Sequence, residues 1–333
     1  MNTEFWNGRI SVAPMMDWTD RHCRYLHRLL SRHALLYTEM VTTGALLHGD
    51  VPRHLRFNEE EHPLALQLGG SEPEDLAKCA RLAEEWNYDE VNLNCGCPSE
   101  RVQRGAFGAC LMNEPSLVAD CVKAMVDATS LPVTVKHRIG IDKVERYEFA
   151  RDFIGQVSEA GCKTFIVHAR NAWLKGLSPK ENREIPPLRY EIVHRLKHEF
   201  PHLTISINGG FKDNATVHQQ LRLLDGVMVG REAYHNPWWL TEWDAEFFGE
   251  QPTGELARED IEAQMCDYMV REAAEHGTHW YGIARHMLGL RNGLPGARRW
   301  RQVWSDHRNK HLPPHEVMAL AGRRPAVVEA TAE

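Results

Sequence analysis

With 333 residues, 43 % hydrophobic and 26 % charged, the chain can bury a sizeable core, enough for one barrel and a smaller appendage. Its formal net charge of −7 gives no overall pull toward a polyanion, and the absence of any run of about 18 apolar residues speaks against a membrane span. Eight scattered cysteines, no CxxC pair, and a start (MNTEFWNGRISVAPMMD) without a signal-peptide layout argue for a cytoplasmic protein with reduced thiols.

Short β-branched or apolar runs recur, each ending in polar or glycine-containing residues. Strands are expected at residues 9–15 (RISVAPM), 34–41 (ALLYTEMV), 63–69 (PLALQLG) and 90–94 (EVNLN). Four more are expected at 132–137 (PVTVKH), 162–168 (CKTFIVH), 203–208 (LTISIN) and 225–229 (DGVMV). Amphipathic stretches lie between them. In 71–86 (SEPEDLAKCARLAEEW), Ser71 as cap and Glu74 three residues on have capping-box spacing. Residues 113–129 and 143–161 repeat apolar side chains every three to four positions.

Eight strands alternating with helices over roughly 240 residues match a (β/α)8 barrel. A doubly wound open sheet is weakened because no GxGxxG follows any strand. After residue 248 the pattern changes: GEQPTGELARED reads as a linker, and the rest is helical with turns at LPGARR and LPPHE. The expected fold class is α/β, a TIM barrel over residues 1–248 followed by a small all-α helical bundle over 249–325. Residues 326–333 are expected to be a loose tail.

In such a barrel the C-terminal strand ends converge on one mouth, where active sites sit. Those ends carry Pro14-Met15-Met16-Asp17, Glu39, Gln67, Asn92 with Asn94, Lys136 with Arg138, His168 with Arg170, Asn208-Gly209-Gly210, and Gly230-Arg231. The glycine turns after the last two strands let main-chain N–H groups approach an anion, at the place where barrels commonly bind phosphate, and Arg231 can add a charged bond. A lone NGG is otherwise a plain turn. Lys136 reads either as a snorkelling surface lysine or as a cation facing an electron-rich ring that becomes anionic on reduction, as a flavin does. His168 can be a base, a ligand or a satisfied core histidine. A catalytic metal needs about three protein ligands; His137 lies on the opposite strand face from Lys136 and acids are few, so no metal is expected.

The stretch VNLNCGCPSERV holds two thiols. By period-two alternation Asn92 and Asn94 share one face, while Cys95 shares the other with Val91 and Leu93 and is expected to pack. Gly96 and Pro98 break the strand and leave Cys97 in the mouth loop. A Cys-x-Cys disulfide would be strained, and one pair supplies too few zinc ligands. Cys97 is therefore better placed for chemistry, with burial as a small packed residue the plain alternative.

These residues carry a likeness. The chain resembles the tRNA-dihydrouridine synthases over nearly its whole length: APMMDWTDRHCR, QLGG, NLNCGCPSERV, TVKHRIG, VHARNAWLKGLSPKENREIPPL, SINGG, VMVGREAY and PGARRW. NLNCGCPS looks like the family's Asn-x-Gly-Cys-Pro element, aligning Asn94, Gly96, Cys97 and Pro98, and WLKGLSPKENREIPPL is specific to the bacterial branch acting at tRNA positions 20 and 20a. The resemblance implies an FMN enzyme that reduces the C5–C6 bond of uridine in the tRNA D-loop with NADPH. It implies that Pro14, Met15, Met16, Gln67, Lys136, His168, Asn208, Gly209, Gly210, Gly230 and Arg231 hold FMN, that hydride goes to uracil C6, and that Cys97 protonates C5. A free thiol titrates near about 8.5, so it is mostly protonated at neutral pH and fit to donate. Asn94 is then a contact for the extruded nucleotide, and Arg138 and Arg170 belong with the substrate residues.

An extruded base must be held by contacts elsewhere. Between residues 277 and 311 seven Lys/Arg stand against one acid, Asp306, with Trp280, Tyr281, Trp300 and Trp304 interleaved. That local excess reads as a polyanion footprint, with a solvated helix face the plain alternative, and Arg298, Arg299 and Arg301 as tRNA contacts. The aromatics are expected to be core. Lys180 and Arg183 are expected on the other side of the tRNA channel. A monomer suffices. Apart from the resemblance, a flavin reductase of a small pyrimidine, a metal-dependent barrel hydrolase and a non-catalytic RNA-binding protein are the competing readings.

Overall fold

Runs that are apolar on both faces form parallel strands covered by helices. The computed structural model describes residues 9–99, 105, 107–144, 146–250, 254 and 256–322; the expected tail at 326–333 lies outside them. Nine strands occur among the described residues: β1 (Ile10–Val12), β2 (Leu36–Tyr37), β3 (Val41–Thr42), β4 (Leu64–Gly69), β5 (Glu90–Cys95), β6 (Val133–Arg138), β7 (Thr164–His168), β8 (Thr204–Asn208) and β9 (Gly226–Val229). They run in the order β1-β9-β8-β7-β6-β5-β4-β2, with β3 beside β4 off this path, and the paired strands are parallel. A bridge between Ser11 and Leu35 joins the two ends, with Val12 N–H donating to Leu35 C=O at 2.9 Å. The sheet is thus closed into the expected barrel and has none of the order reversal of a doubly wound sheet.

Two local expectations change. The second expected strand is split into β2 and β3, because Glu39 and Met40 leave the ladder: Thr38 Oγ1 donates to Glu39 C=O at 2.8 Å, and the Glu39 carboxylate takes the Asp17 N–H. Ser71 does not cap the next helix. That helix spans Pro73–Glu85 with Glu72 at the N-cap position and no side-chain cap bond. Pro73 at the first turn has a fixed φ and no N–H to satisfy, so the helix starts there rather than at Ser71. It buries Leu76, Cys79, Ala80 and Ala83, the 3–4 spacing read from the sequence. The other two expected helices span Pro115–Ala128 and Tyr147–Glu159.

The C-terminal region is helical: Arg258–His276, Trp280–Ala284, Ala297–Ser305 and Pro314–Gly322. Trp280, Trp300 and Trp304 are buried and meet edge to face or tilted, at centroid distances of 5.7 and 6.2 Å. These tryptophans are core, as expected. The region grips the barrel's first helix, Arg21–Leu30. Tyr268 stacks on Tyr25 at 4.0 Å, Arg21 pairs with Glu272, and Arg285 and His286 both reach Asp20, the N-cap of that helix.

Candidate active site

The strand ends open into one cavity of about 1300 Å³. It is lined by Pro14, Met15, Met16, Gln67, Lys136, His168, Asn208, Gly209, Gly210, Gly230 and Arg231, together with Asn94, Cys97, Arg138, Arg170 and Arg183. Lys180 is exposed just outside it, and Arg298, Arg299 and Arg301 lie on the C-terminal helix Ala297–Ser305, away from the lining.

Position follows from local chemistry. The turn after β1 is tied by Thr19, whose Oγ1 accepts from Met15 N–H at 2.9 Å, leaving Met16 55 % exposed at the mouth. Gly209 and Gly210 take φ of +126° and +85°, which L side chains rarely adopt. A Cβ at either would also lie 2.7 Å from Leu188. Tyr190 O–H holds the turn by donating to Gly209 C=O at 2.6 Å. Lys136 Nζ donates to Asn208 Oδ1 at 3.2 Å, joining two strand ends across the mouth.

The cavity wall is cationic. Burial, then the neighbouring Arg138, lowers Lys136 to about 7. Burial, then Arg138, Lys136, Arg170 and Arg183, pushes His168 well below the usual histidine range, so its imidazole is neutral. Burial and neighbouring cations bring Arg138 down to about 10. Such mutual discomfort is relieved by an anion. Arg231 meets Glu184 at 2.6 Å and also donates to Arg183 C=O, so an anion beside it competes with Glu184. Among the described residues no three His, Cys, Asp or Glu side chains are grouped to hold a metal.

Cys97 sits on a turn built by Asn94. The Asn94 Oδ1 accepts from Gly96 N–H at 3.1 Å and Cys97 N–H at 3.0 Å, an Asx turn closing the end of β5. Cys97 C=O accepts from Ala109 N–H at 2.9 Å, and its Sγ lies 3.6 Å from Ser99 Oγ. Arg138, 4 % exposed, donates to Gly96, Asn171 and Asn182 carbonyls and clamps this loop to the one after β7. Cys95, in contrast, is fully buried, and burial pushes its thiol well above the ordinary range. Asn94 and Arg138 thus line the cavity while their polar groups hold the Cys97 loop.

Sequence reasoning missed a second rim. Arg53 and His54, from the helix Val51–Leu55, line the cavity with Arg56 just after it. The signal was present in the basic stretch PRHLR, but strand-end reading does not reach a helix. The C-terminal basic excess is smaller than its count. Arg285 pairs with Asp20, Arg291 with Glu259 and Glu262, and Arg308 with Asp306. Arg298, Arg301 and Lys310 have no carboxylate partner among the described residues; Arg301 donates to Asn292 and Lys310 lies 3.9 Å over Tyr281.

Comparison with known proteins agrees over almost the full length. The family model described as "Dihydrouridine synthase (Dus)" matches residues 11–321. The chain is 58 % identical over 320 residues to a tRNA-dihydrouridine(20/20a) synthase of Pseudomonas aeruginosa, covering 95 % of this chain and 96 % of that one. It is 60 % identical over 325 residues to the Escherichia coli K12 protein of the same description, covering 96 % and 93 %. With the Vibrio cholerae counterpart the identity is 58 % over 306 residues, covering 92 % of each.

Proposed function

The chain belongs to the dihydrouridine synthase family and reduces uridine in tRNA to dihydrouridine, and we propose that it does so with FMN in the barrel mouth, NADPH as reductant and Cys97 as proton donor. The observation that carries this reading is the convergence of the strand-end residues on one cationic cavity with Cys97 beside it. The relatives' shared description extends the proposal to positions 20 and 20a of the tRNA D-loop.

The donor set suits FMN. Gly209, Gly210, Gly230 and Arg231 offer an anion a glycine cradle and a guanidinium. Lys136 supplies positive charge to the ring, Gln67 and Asn208 supply amides, and Pro14, Met15, Met16 and neutral His168 complete the wall. When bound and reduced, FMN supplies the hydride that goes to uracil C6. Cys97 gives its thiol proton to C5, so the added hydrogens come from two sources. Asn94 and Arg138 serve that step by fixing the loop that carries the thiol. No nicotinamide motif occurs, and NADPH is assigned to the same open mouth.

The uracil must leave its stack, which costs about a few kcal/mol. Contacts to the phosphates compensate: Arg170, Lys180 and Arg183 on one side, Arg298, Arg299 and Arg301 on the C-terminal helix Ala297–Ser305. We assign the chain to the cytoplasm as a monomer; among the described residues no helix is long and apolar enough to cross a membrane. A small-pyrimidine reductase is not favoured by the family match. Dihydrouridine mapping in tRNA from cells lacking the gene tests the assignment. D-loop uridines at 20 and 20a should appear unreduced and recover with a plasmid copy; unchanged dihydrouridine there contradicts it.

A further inference from the structure

Glu90 opens β5 at the closed end of the barrel, 1 % exposed, and has no part in the chemistry above. Asn92 and Asn94 follow on the same strand face. A continuous hydrogen-bond chain joins Glu90 to the Cys97 turn. The Gly96 and Cys97 N–H groups donate to Asn94 Oδ1, and Asn94 Nδ2 donates to Gln67 Oε1 at 2.9 Å. Gln67 Nε2 donates to Asn92 Oδ1 at 2.8 Å, and Asn92 Nδ2 to Thr134 Oγ1 at 2.8 Å. Thr134 O–H then donates to Glu90 Oε1 at 2.5 Å, where Tyr37 O–H also donates at 2.7 Å.

The sense of this chain is set at its ends. Backbone N–H groups only donate, so Asn94 must turn its oxygen toward Gly96 and Cys97 and its NH₂ toward Gln67. Gln67 must then show oxygen to Asn94 and NH₂ to Asn92, and Asn92 must show NH₂ to Thr134. The threonine proton is left to point at Glu90, and only an acceptor there completes the line. A donor in that place would set two donors head to head in a buried site.

We propose that Glu90 is a positioning residue for Cys97: by ending the chain on an acceptor, it locks the Gln67 and Asn94 amides in one orientation and so holds the turn that presents the thiol. The proposal rests on the reading of Cys97 as proton donor. Its logic is the same for the acid and the carboxylate. Burial pushes Glu90 up to about 7, opposed by the Thr134 and Tyr37 bonds and helped slightly by Asp89; Cys162 also lies near. Oε2 has no partner among the described residues, so a proton there leaves Oε1 accepting.

The test compares Glu90→Met and Thr134→Val, which break the chain, with Glu90→Gln and Thr134→Ser, which keep it. The first readout is the rate of Cys97 alkylation by iodoacetamide in the resting full-length protein, followed by peptide mass spectrometry, with buried Cys95 and Cys162 as internal controls. The second is stopped-flow reoxidation of the reduced flavin by saturating unmodified tRNA. Glu90→Met and Thr134→Val should change alkylation about threefold or more and slow reoxidation about tenfold, a larger loss than in flavin reduction by NADPH. Glu90→Gln and Thr134→Ser should stay within about twofold of the parent. The proposal is overturned if the chain-breaking variants match the parent, or if Glu90→Gln falls as far as Glu90→Met. Thr134→Val keeps side-chain shape and decides the matter should Glu90→Met fail to fold. Alkylation needs neither tRNA nor turnover, so it still tests positioning if Cys97→Ala shows that another group donates the proton.

Discussion

The inside of the barrel and the basic helical region hold polar side chains in opposite ways. Between β4 and β6, Gln67, Asn92, Asn94 and Thr134 are nearly inaccessible and bond to one another, each defining its neighbour's orientation. On the helical region the arginines are exposed or half-buried, and some of them answer carboxylates outside the basic segment: Asp20 on the barrel, Glu259 and Glu262 on the long helix. Buried polar groups lose free energy unless partnered, so a strand face carrying several of them announces a network. Surface charge carries no such constraint, and its local count in the sequence does not say which charges remain available.

The sharpest contrast lies within one motif. Cys97→Ala should retain bound flavin and lose about 10²–10⁴-fold in dihydrouridine formation, the range of a general acid. Cys95→Ala, which only trims a buried packing group, should retain most activity. Equal loss in both, read by mass spectrometry of digested tRNA, would break the division between a packed and a reactive thiol.

Lys136 sharpens the cationic side of the barrel. Its value of about 7 in the ligand-free protein rises when bound flavin accepts a hydrogen bond from the ammonium, so binding takes up a proton above that pH. Flavin affinity should be level below about pH 7 and fall above it, by up to about tenfold per pH unit until the bound-state value is reached. Lys136→Met should weaken binding about tenfold near neutral pH and flatten that dependence, measured by fluorescence titration of apoprotein. A pH-independent affinity in the parent would contradict the role.

On the helical region Arg291 should separate from the pair Arg298 and Arg299. Replacing Arg298 and Arg299 with alanine should weaken tRNA binding and lower the slope of log affinity against log salt by about 1.5. An unchanged slope would remove them from the interface. Arg291→Met should leave the slope alone and instead reduce stability by about 1–3 kcal/mol, because it strands the buried Glu262, which among the described residues keeps only Trp300 Nε1 as donor. Chemical denaturation reads that difference, the smallest of the set.

The same contrast explains what was legible beforehand. Strand periodicity and strand-end polarity located the barrel and the cavity lining, because burial leaves few alternatives for Gln67, Lys136 or His168 in such a pattern. The break at Glu39 was not legible, since it depends on a carboxylate meeting the Asp17 N–H 22 residues away. Glu90 stands at the first position of its strand, away from the C-terminal strand ends whose polarity marks the mouth. Its parity with Asn92 and Asn94 was the available signal. Ser71 had the spacing of a cap, but Pro73 set the helix start. Arg285 and Arg291 looked free because their carboxylate partners lie outside the basic segment.

The most direct measurement is on the purified full-length protein reconstituted with FMN. The yellow colour should bleach on anaerobic addition of NADPH and return much faster with unmodified tRNA than with free uridine, leaving dihydrouridine in the D-loop. Protein that cannot take up FMN, or reduced flavin that reoxidises equally with free uridine and tRNA, would contradict the assignment of the barrel mouth and helical region to one tRNA-reducing site.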